Sequence, residues 1–248
     1  MARRTAEAII LRTRPLGEAD LVVTFLTPDD GKIEATARAA RKSRRRFGGA
    51  LDPLTFGKAA WTETEGRALA FLESFEVVRS FAEIQSDLPW FYLFAYVAEV
   101  ADTFAREREP DPRFYRLVRV CAEASAGGSA PDLVRRWFEL WTLRLQGLLP
   151  GFDECSRCGK PPGGRGLSVE PASGEILCAE CAGSGGPRES SIPLSGEDLE
   201  WLRRALRSVP GKAPAPPSAP GVGRLVRALL TGFTGKPFRT ARFLDADR

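Results

Sequence analysis

The chain has 248 residues, of which 43% are hydrophobic, enough to bury the core of one large domain or roughly two to three small ones. It contains no histidine, which excludes histidine-based triads, histidine metal ligands and imidazole acid–base chemistry. The formal net charge is only +4, but residues 1–60 carry twelve Lys/Arg and seven Asp/Glu, residues 61–200 fourteen and twenty-three, and residues 201–248 ten and two, so two basic ends flank an acidic middle.

Residues 7–11 and 21–26 are apolar and partly β-branched, and they read as two strands separated by Arg14-Pro15-Leu16-Gly17-Glu18-Ala19-Asp20. Glu18 and Asp20 share that short turn with no base or metal ligand nearby. They read as solvated or loop-bracing carboxylates rather than as a catalytic pair. After the turn Thr27-Pro28-Asp29-Asp30-Gly31 the side chains alternate, with Lys32, Glu34, Thr36 and Arg38 on one face and Ile33, Ala35, Ala37 and Ala39 on the other. A period of two marks a half-buried strand. The strand runs into Arg41-Lys42-Ser43-Arg44-Arg45-Arg46-Phe47-Gly48-Gly49, so that six cations fall within the nine residues 38–46. Such density repels itself unless a polyanion neutralises it, and phosphate backbones do so with release of counterions. A solvated charged loop is the plainer reading. The position at a strand end, with Phe47 available for base stacking, favours nucleic acid. Lys32, Arg38, Arg41, Lys42, Arg44, Arg45, Arg46 and Phe47 are therefore the expected DNA contacts. Residues 54–61 and 69–78 complete a set of five short strands, which suggests a small barrel of the oligonucleotide-binding (OB) kind.

The period changes after Arg79. Asp87-Leu88-Pro89-Trp90 is a helix start, with proline where a missing N–H costs little. Trp90, Phe91, Leu93, Phe94, Val97, Val100, Ala101 and Phe104 then cover most of a helix, which must be central to its domain. Phe114, Leu117, Val118 and Cys121 follow at helical spacing up to Gly127-Gly128, with Cys121 reading as a small buried hydrophobe. A third helix carries Leu133, Val134, Trp137, Leu140, Trp141, Leu145 and Leu148 and stops at Pro150-Gly151.

Cys155-Ser156-Arg157-Cys158 and Cys178-Ala179-Glu180-Cys181 are separated by nineteen residues. Paired C-x-x-C knuckles at this spacing signal a zinc site, each knuckle aiming two thiolates at one ion. Disulfides or a redox dithiol are the plain alternatives, and the chain lacks a thioredoxin-like βαβ pattern. The glycine-rich insert 163–175 has no evident core, so the metal would supply its folding free energy. With Cys155, Cys158, Cys178 and Cys181 as ligands no position remains for an activated water, and one structural Zn2+ is expected.

Ser195-Gly196-Glu197-Asp198 resembles a capping box, followed by Leu199, Leu202, Leu206 and Val209 on a helix with Arg203, Arg204 and Arg207 on its wet side. Residues 210–221 hold five prolines and two glycines and read as a flexible excursion. Residues 222–230 form a short amphipathic helix. Gly232-Phe233-Thr234-Gly235-Lys236-Pro237 lacks the spacing of a phosphate loop, so no site for NTP hydrolysis is expected. No stretch has the apolar length of a signal peptide or a membrane span, and the expectation is a cytoplasmic protein without a membrane partner.

Three stretches taken together are more specific than any one alone. The first is Leu11-Arg12-Thr13-Arg14-Pro15-Leu16-Gly17-Glu18-Ala19-Asp20 with Val23-Thr24-Phe25-Leu26-Thr27. The second is Gly31-Lys32, Ala37-Arg38-Ala39-Ala40-Arg41-Lys42 and Arg46-Phe47-Gly48-Gly49-Ala50-Leu51-Asp52-Pro53. The third is Gly235-Lys236-Pro237-Phe238-Arg239-Thr240-Ala241-Arg242. In these the chain resembles the bacterial RecO recombination mediators along nearly its whole length, with the cysteine quartet of the zinc-bearing members. The proline-rich stretch 210–221 is a departure.

The resemblance implies an α+β multidomain chain: an N-terminal OB-fold β-barrel over residues 1–79, an α-helical domain over 80–150 and 190–248, and an inserted four-cysteine zinc module over 151–189. It implies binding of single- and double-stranded DNA and annealing of complementary strands without ATP. It also implies work with RecR, and with the C-terminal tail of the single-strand-binding protein, to load RecA in gap repair, in the cytoplasm at the nucleoid and without enzymatic activity. Arg203, Arg204, Arg207, Lys236, Arg239 and Arg242 are further candidate contacts to DNA or a partner. A zinc-ribbon RNA-binding or transcription-associated factor is the alternative. A zinc hydrolase or nuclease needs an open metal position, which four thiolates deny.

Overall fold

The computed structural model describes residues 2–42, 47, 49–84, 87–184, 190–209, 212 and 221–245. The elements are β1 (Ala2–Leu16), β2 (Asp20–Thr27), β3 (Gly31–Ala37), β4 (Phe56–Glu63), β5 (Ala70–Arg79), α1 (Leu88–Phe104), α2 (Pro112–Ala126), α3 (Pro131–Leu145), β6 (Leu167–Glu170), β7 (Glu175–Cys178), α4 (Ala179–Ser184), β8 (Ile192–Leu194), α5 (Gly196–Ala205), α6 (Gly221–Thr234) and α7 (Ala241–Asp245). The chain is α+β and divides into two compact units, Met1–Ala126 with Thr240–Arg248, and Gly127–Arg239.

In the first unit five strands close into a barrel in the order β1-β2-β3-β5-β4. All neighbours are antiparallel except β3 and β5, which meet in parallel over Ala35↔Ala70 and Thr36↔Phe71. This arrangement fits the OB-fold. β1 is much longer than the sequence suggests, because Ala2–Ile9 pairs with β4 while Ile9–Leu16 pairs with β2. Only Ala8–Leu11 is buried, so the polar ends of the strand carry no apolar signal. Ala8 and Ile10 enter the barrel core with Val23, Phe25, Ile33, Trp61 and Leu72, where Phe25 meets Trp61 edge to face at 5.5 Å.

Helix α1 packs against β1, and edge-to-face rings run from Phe56 through Phe81 and Phe94 to Trp90 at 5.3, 5.4 and 6.2 Å. The run of buried residues along α1, from Trp90 to Phe104, is the centrality that its composition predicts. Phe91 is the exception, exposed on the helix surface. The start of α2 is capped by Asp111, whose carboxylate accepts from the Phe114 N–H at 2.9 Å.

The second unit holds α3, α5 and α6 and a three-stranded sheet in the order β7-β6-β8. The sequence does not reveal that sheet: the insert 163–175, read as lacking a core, buries Leu167 and Val169, and Ile176 and Leu177 are buried directly after it. Ser195 and Asp198 form the expected capping box of α5, yet the helix ends at Ala205 rather than continuing to Val209. Trp137, Trp141 and Arg144 of α3 donate to the carbonyls of Ser208, Ala205 and Leu206 at 2.9, 3.2 and 3.2 Å. These donors satisfy chain-end acceptors that a longer helix would have bonded internally. Arg135 and Arg136 both pair with Glu139, and all three are buried.

Gly31 starts β3 at φ +69°, and a Cβ there would lie 2.3 Å from the Glu109 carbonyl oxygen. The segment after α1 is drawn onto β3 by Lys32 N–H to Arg106 C=O and Arg108 N–H to Lys32 C=O, each 3.1 Å. Gly31→Ala is expected to destabilise the protein by about 2–4 kcal/mol, combining left-handed strain with overlap. Urea titration will measure it as a lower midpoint at unchanged slope, and a loss under about 1 kcal/mol would show that the approach relaxes freely.

Candidate nucleic-acid interface and metal centre

The alternation of β3 holds from Gly31 to Ala37 and then breaks, because Ala39 turns into the left-handed region at φ +53°. Ala39 is exposed rather than facing the core. The β1–β2 turn holds this corner. The Asp20 carboxylate accepts from the Ala39 N–H at 2.8 Å, and the Arg41 N–H donates to the Ala19 carbonyl at 3.0 Å. The Arg41 guanidinium donates to the carbonyls of Gly17 and Glu18 at 3.1 and 3.2 Å. Of the two carboxylates on that turn, Asp20 is the loop brace.

The expected DNA contacts separate on this scaffold. Arg38, Arg41 and Lys42 are exposed at the exit of β3, with the Arg38 guanidinium 5.2 Å from the centre of the Phe71 ring. Arg44, Arg45 and Arg46 lie outside the described residues. Lys32 departs from the expectation. Its side chain is 14% exposed and its ammonium lies 3.3 Å from the Asp102 carboxylate on α1, so it braces β3 against a helix instead of facing a phosphate. Asp102 also pairs with Arg12 at 2.7 Å, and Glu34 pairs with Arg12 at 2.8 Å. The sequence signal for this network is a carboxylate near the end of a largely apolar helix.

Phe47 also departs from the expectation. It is only 4% exposed and belongs to the barrel core with Ala50 and Leu51. A hydrophobic ring among apolar neighbours gains more from burial than from water, and a ring placed there presents no face to a base.

The C-terminal cations are surface groups. Arg203 and Arg204 lie on α5 and Arg207 just beyond it, all exposed, with Arg204 4.0 Å from Glu200. Lys236 and Arg239 are exposed in the second unit. In the first unit Arg242 lies over the Phe243 ring at 4.6 Å, and Phe243 stacks on Tyr92 of α1 at 5.1 Å. The Glu99 carboxylate of α1 receives the Thr240 N–H and hydroxyl at 2.9 and 2.5 Å.

The four knuckle cysteines converge. Their sulfurs all lie within 4.8 Å of one another, and Cys158 and Cys178 are 3.9 Å apart. A disulfide requires about 2.05 Å, whereas four sulfurs around one ion at about 2.3 Å stand about 3.8 Å apart. The first knuckle turns back through Gly159, at φ +69°, whose N–H donates to the Cys155 carbonyl at 2.9 Å. In the second, Cys178 ends β7 and Cys181 lies one turn into α4. Burial opposes ionisation of Cys155, but the N–H groups of Cys178, Cys158 and Arg157 prevail and bring its pKa down to about 6. Cys181 is pushed up to about 12, first by the Cys178 side chain and then by burial and the other two thiols. One thiolate thus forms readily and resists the next, which is the balance that a cation among the four sulfurs would reverse. The set could hold one metal ion, and because binding must displace protons its affinity falls as pH falls.

Phe47→Ala is expected to cost about 3–5 kcal/mol, the usual range for emptying a buried aromatic site. Chemical denaturation checks this, and a loss below about 0.5 kcal/mol would mark the ring as a surface group.

Residues 1–81 match the family described as "Recombination protein O N terminal" and residues 85–241 that described as "Recombination protein O C terminal". A protein of Anaeromyxobacter dehalogenans (strain 2CP-1) named DNA repair protein RecO is 39% identical over 249 residues, covering 99% of this chain and 97% of that protein. Proteins of the same name from Koribacter versatilis and Myxococcus xanthus are 39% and 30% identical over 246 and 245 residues. They cover 99% and 98% of this chain, and 89% and 98% of their own lengths. With both halves of the chain matched and relatives this similar over nearly their full length, the chain belongs to the RecO family of DNA repair proteins.

Proposed function

We propose that this protein is a DNA-binding recombination mediator. It binds single- and double-stranded DNA, anneals complementary strands without ATP, and with RecR helps load RecA onto DNA coated with single-strand-binding protein in gap repair. The observation that carries the reading is the exposed basic exit of β3, held at one corner of the first unit's barrel by Asp20 and the β1–β2 turn. Annealing requires that two phosphate backbones be neutralised close together, and their counterion release drives the binding. It asks for no bond to be made or broken, so the role assigned here is not enzymatic. Residues 1–79 form the DNA-binding module in this reading, residues 80–150 and 190–248 the helical one and residues 151–189 the metal-binding one. Arg203, Arg204 and Arg207 receive the acidic C-terminal tail of the single-strand-binding protein, by charge complementarity, while Lys236, Arg239 and Arg242 contact DNA or a partner. The protein works in the cytoplasm at the nucleoid. Among the described residues no helix is long and apolar enough to cross a membrane.

The metal assigned to Cys155, Cys158, Cys178 and Cys181 is one structural zinc. Four thiolates complete a tetrahedral shell and leave no place for an activated water. Purified protein is expected to hold one zinc. Cys178→Ser should lose it and expose residues 151–184 to protease while the barrel stays folded. Metal analysis with limited proteolysis decides, and zinc retained in full by the variant would overturn the assignment.

The functional test is annealing of strands coated with single-strand-binding protein, without ATP, for the intact chain and for Arg44→Ala/Arg45→Ala/Arg46→Ala. The triple variant should weaken binding about equally for every sequence, because a run of like charges touches phosphates rather than base edges. For duplex DNA it should also flatten the plot of log affinity against log salt by up to about two to three units, since each lost phosphate contact removes about 0.9. An unchanged slope would leave the run a solvated loop.

A further inference from the structure

We infer that Asp20 is a positioning residue for DNA binding: an anion that strengthens the grip on a polyanion by fixing the corner from which the cations project. The inference rests on the proposed DNA-binding role of the β3 exit. Taken alone, a carboxylate beside Arg38, Arg41 and Lys42 is a liability, since it repels phosphate and lowers the local potential. The geometry assigns it another task. Its Oδ1 accepts from the Ala39 N–H at 2.8 Å, at the residue where the chain leaves β3 in the left-handed region at φ +53°. Alanine enters that region only at a cost, so the corner persists where other contacts hold it. Three more bonds from the same turn do so: Arg41 N–H to Ala19 C=O, and the Arg41 guanidinium to Gly17 C=O and Glu18 C=O. Gly17 is itself left-handed at φ +63°, which turns β1 into β2 and brings these carbonyls to the loop.

The clasp divides the cations between two tasks. The Arg41 guanidinium gives its Nη1 to two backbone carbonyls and belongs to the clasp. Arg38, braced over Phe71 at 5.2 Å, and exposed Lys42 remain to meet phosphates. Lys42 is placed by the corner directly, through its N–H to the Ala39 carbonyl at 3.1 Å. Losing the Asp20 acceptor frees the corner, and the cations must then be ordered at the moment of binding, which lowers affinity.

The test sets charge against geometry. Asp20→Ala removes the anion and the acceptor, whereas Asp20→Asn removes the anion and keeps a carbonyl oxygen for the Ala39 N–H. Electrostatics alone predicts that both variants bind single-stranded DNA more tightly. The clasp predicts that Asp20→Ala binds about three- to tenfold more weakly, the worth of one such bond, with a shallower salt slope and faster hydrogen exchange at the Ala39 amide. It also predicts that Asp20→Asn stays near the intact protein on all three readouts. Asp20→Ala binding as tightly as the intact chain, or more tightly, overturns the inference, as does an Asp20→Asn loss equal to that of Asp20→Ala. An Arg38→Ala/Lys42→Ala protein separates this from the wider reading. If that double variant binds DNA like the intact chain, the β3 exit is not the DNA site. If it weakens binding while Asp20→Ala does not, only the clasp is wrong.

Discussion

The first unit depends on one strand serving two partners. β1 gives its first half to β4 and its second half to β2, and without that division the sheet would have two free edges. Closure satisfies backbone groups that an open edge would leave to water or to another chain. It also explains why Ala8–Leu11 is buried on both faces: one face lines the barrel and the other faces the layer that contains α1. The β3–β5 seam closes through only two residue pairs, so the lower part of β3 has backbone groups to spare. The Arg106–Arg108 segment takes them up, with Lys32 and Asp102 tying the same strand to α1. The β3 exit is therefore presented from a strand anchored along its length.

The second unit solves a different problem. Its sheet strands are three or four residues long, and such short strands rarely hold together unaided. Four sulfurs converge there, two from the knuckle before β6 and two from the end of β7 and the start of α4, and one metal ion held among them would supply a cross-link that does not depend on core size. Four sulfurs within 4.8 Å of one another could hold one metal ion, and the lowered Cys155 beside the raised Cys181 shows one thiolate forming more readily than the next.

Legibility in the sequence followed the range of the physics. Local periodicity gave the β3 alternation, the largely apolar α1 and the Ser195–Asp198 box, because each is decided within a few residues. Each C-x-x-C knuckle is just as local, and the pairing of two such knuckles across nineteen residues was legible from their matching spacing. What escaped was decided by distant chain. The ends of β1 are strand because β2 and β4 lie beside them, not because their side chains are apolar. Helix α5 stops at Ala205 because donors from α3 take the carbonyls that follow. Lys32 and Phe47 sit in or beside a basic stretch, and composition alone placed them with the DNA contacts. A carboxylate seventy residues away claimed Lys32, and the barrel core claimed Phe47.

The same α3–α5 contact makes the second unit its own optical reporter. Two indoles, 5.6 Å apart, donate to carbonyls at a single helix end. Fraying of that end would release both at once and shift their emission together. Trp61 and Trp90 lie in the other unit, and Trp201 is buried on α5 itself. Proteins that keep only Trp137 and Trp141 would therefore report the state of one helix terminus by fluorescence, with no attached dye.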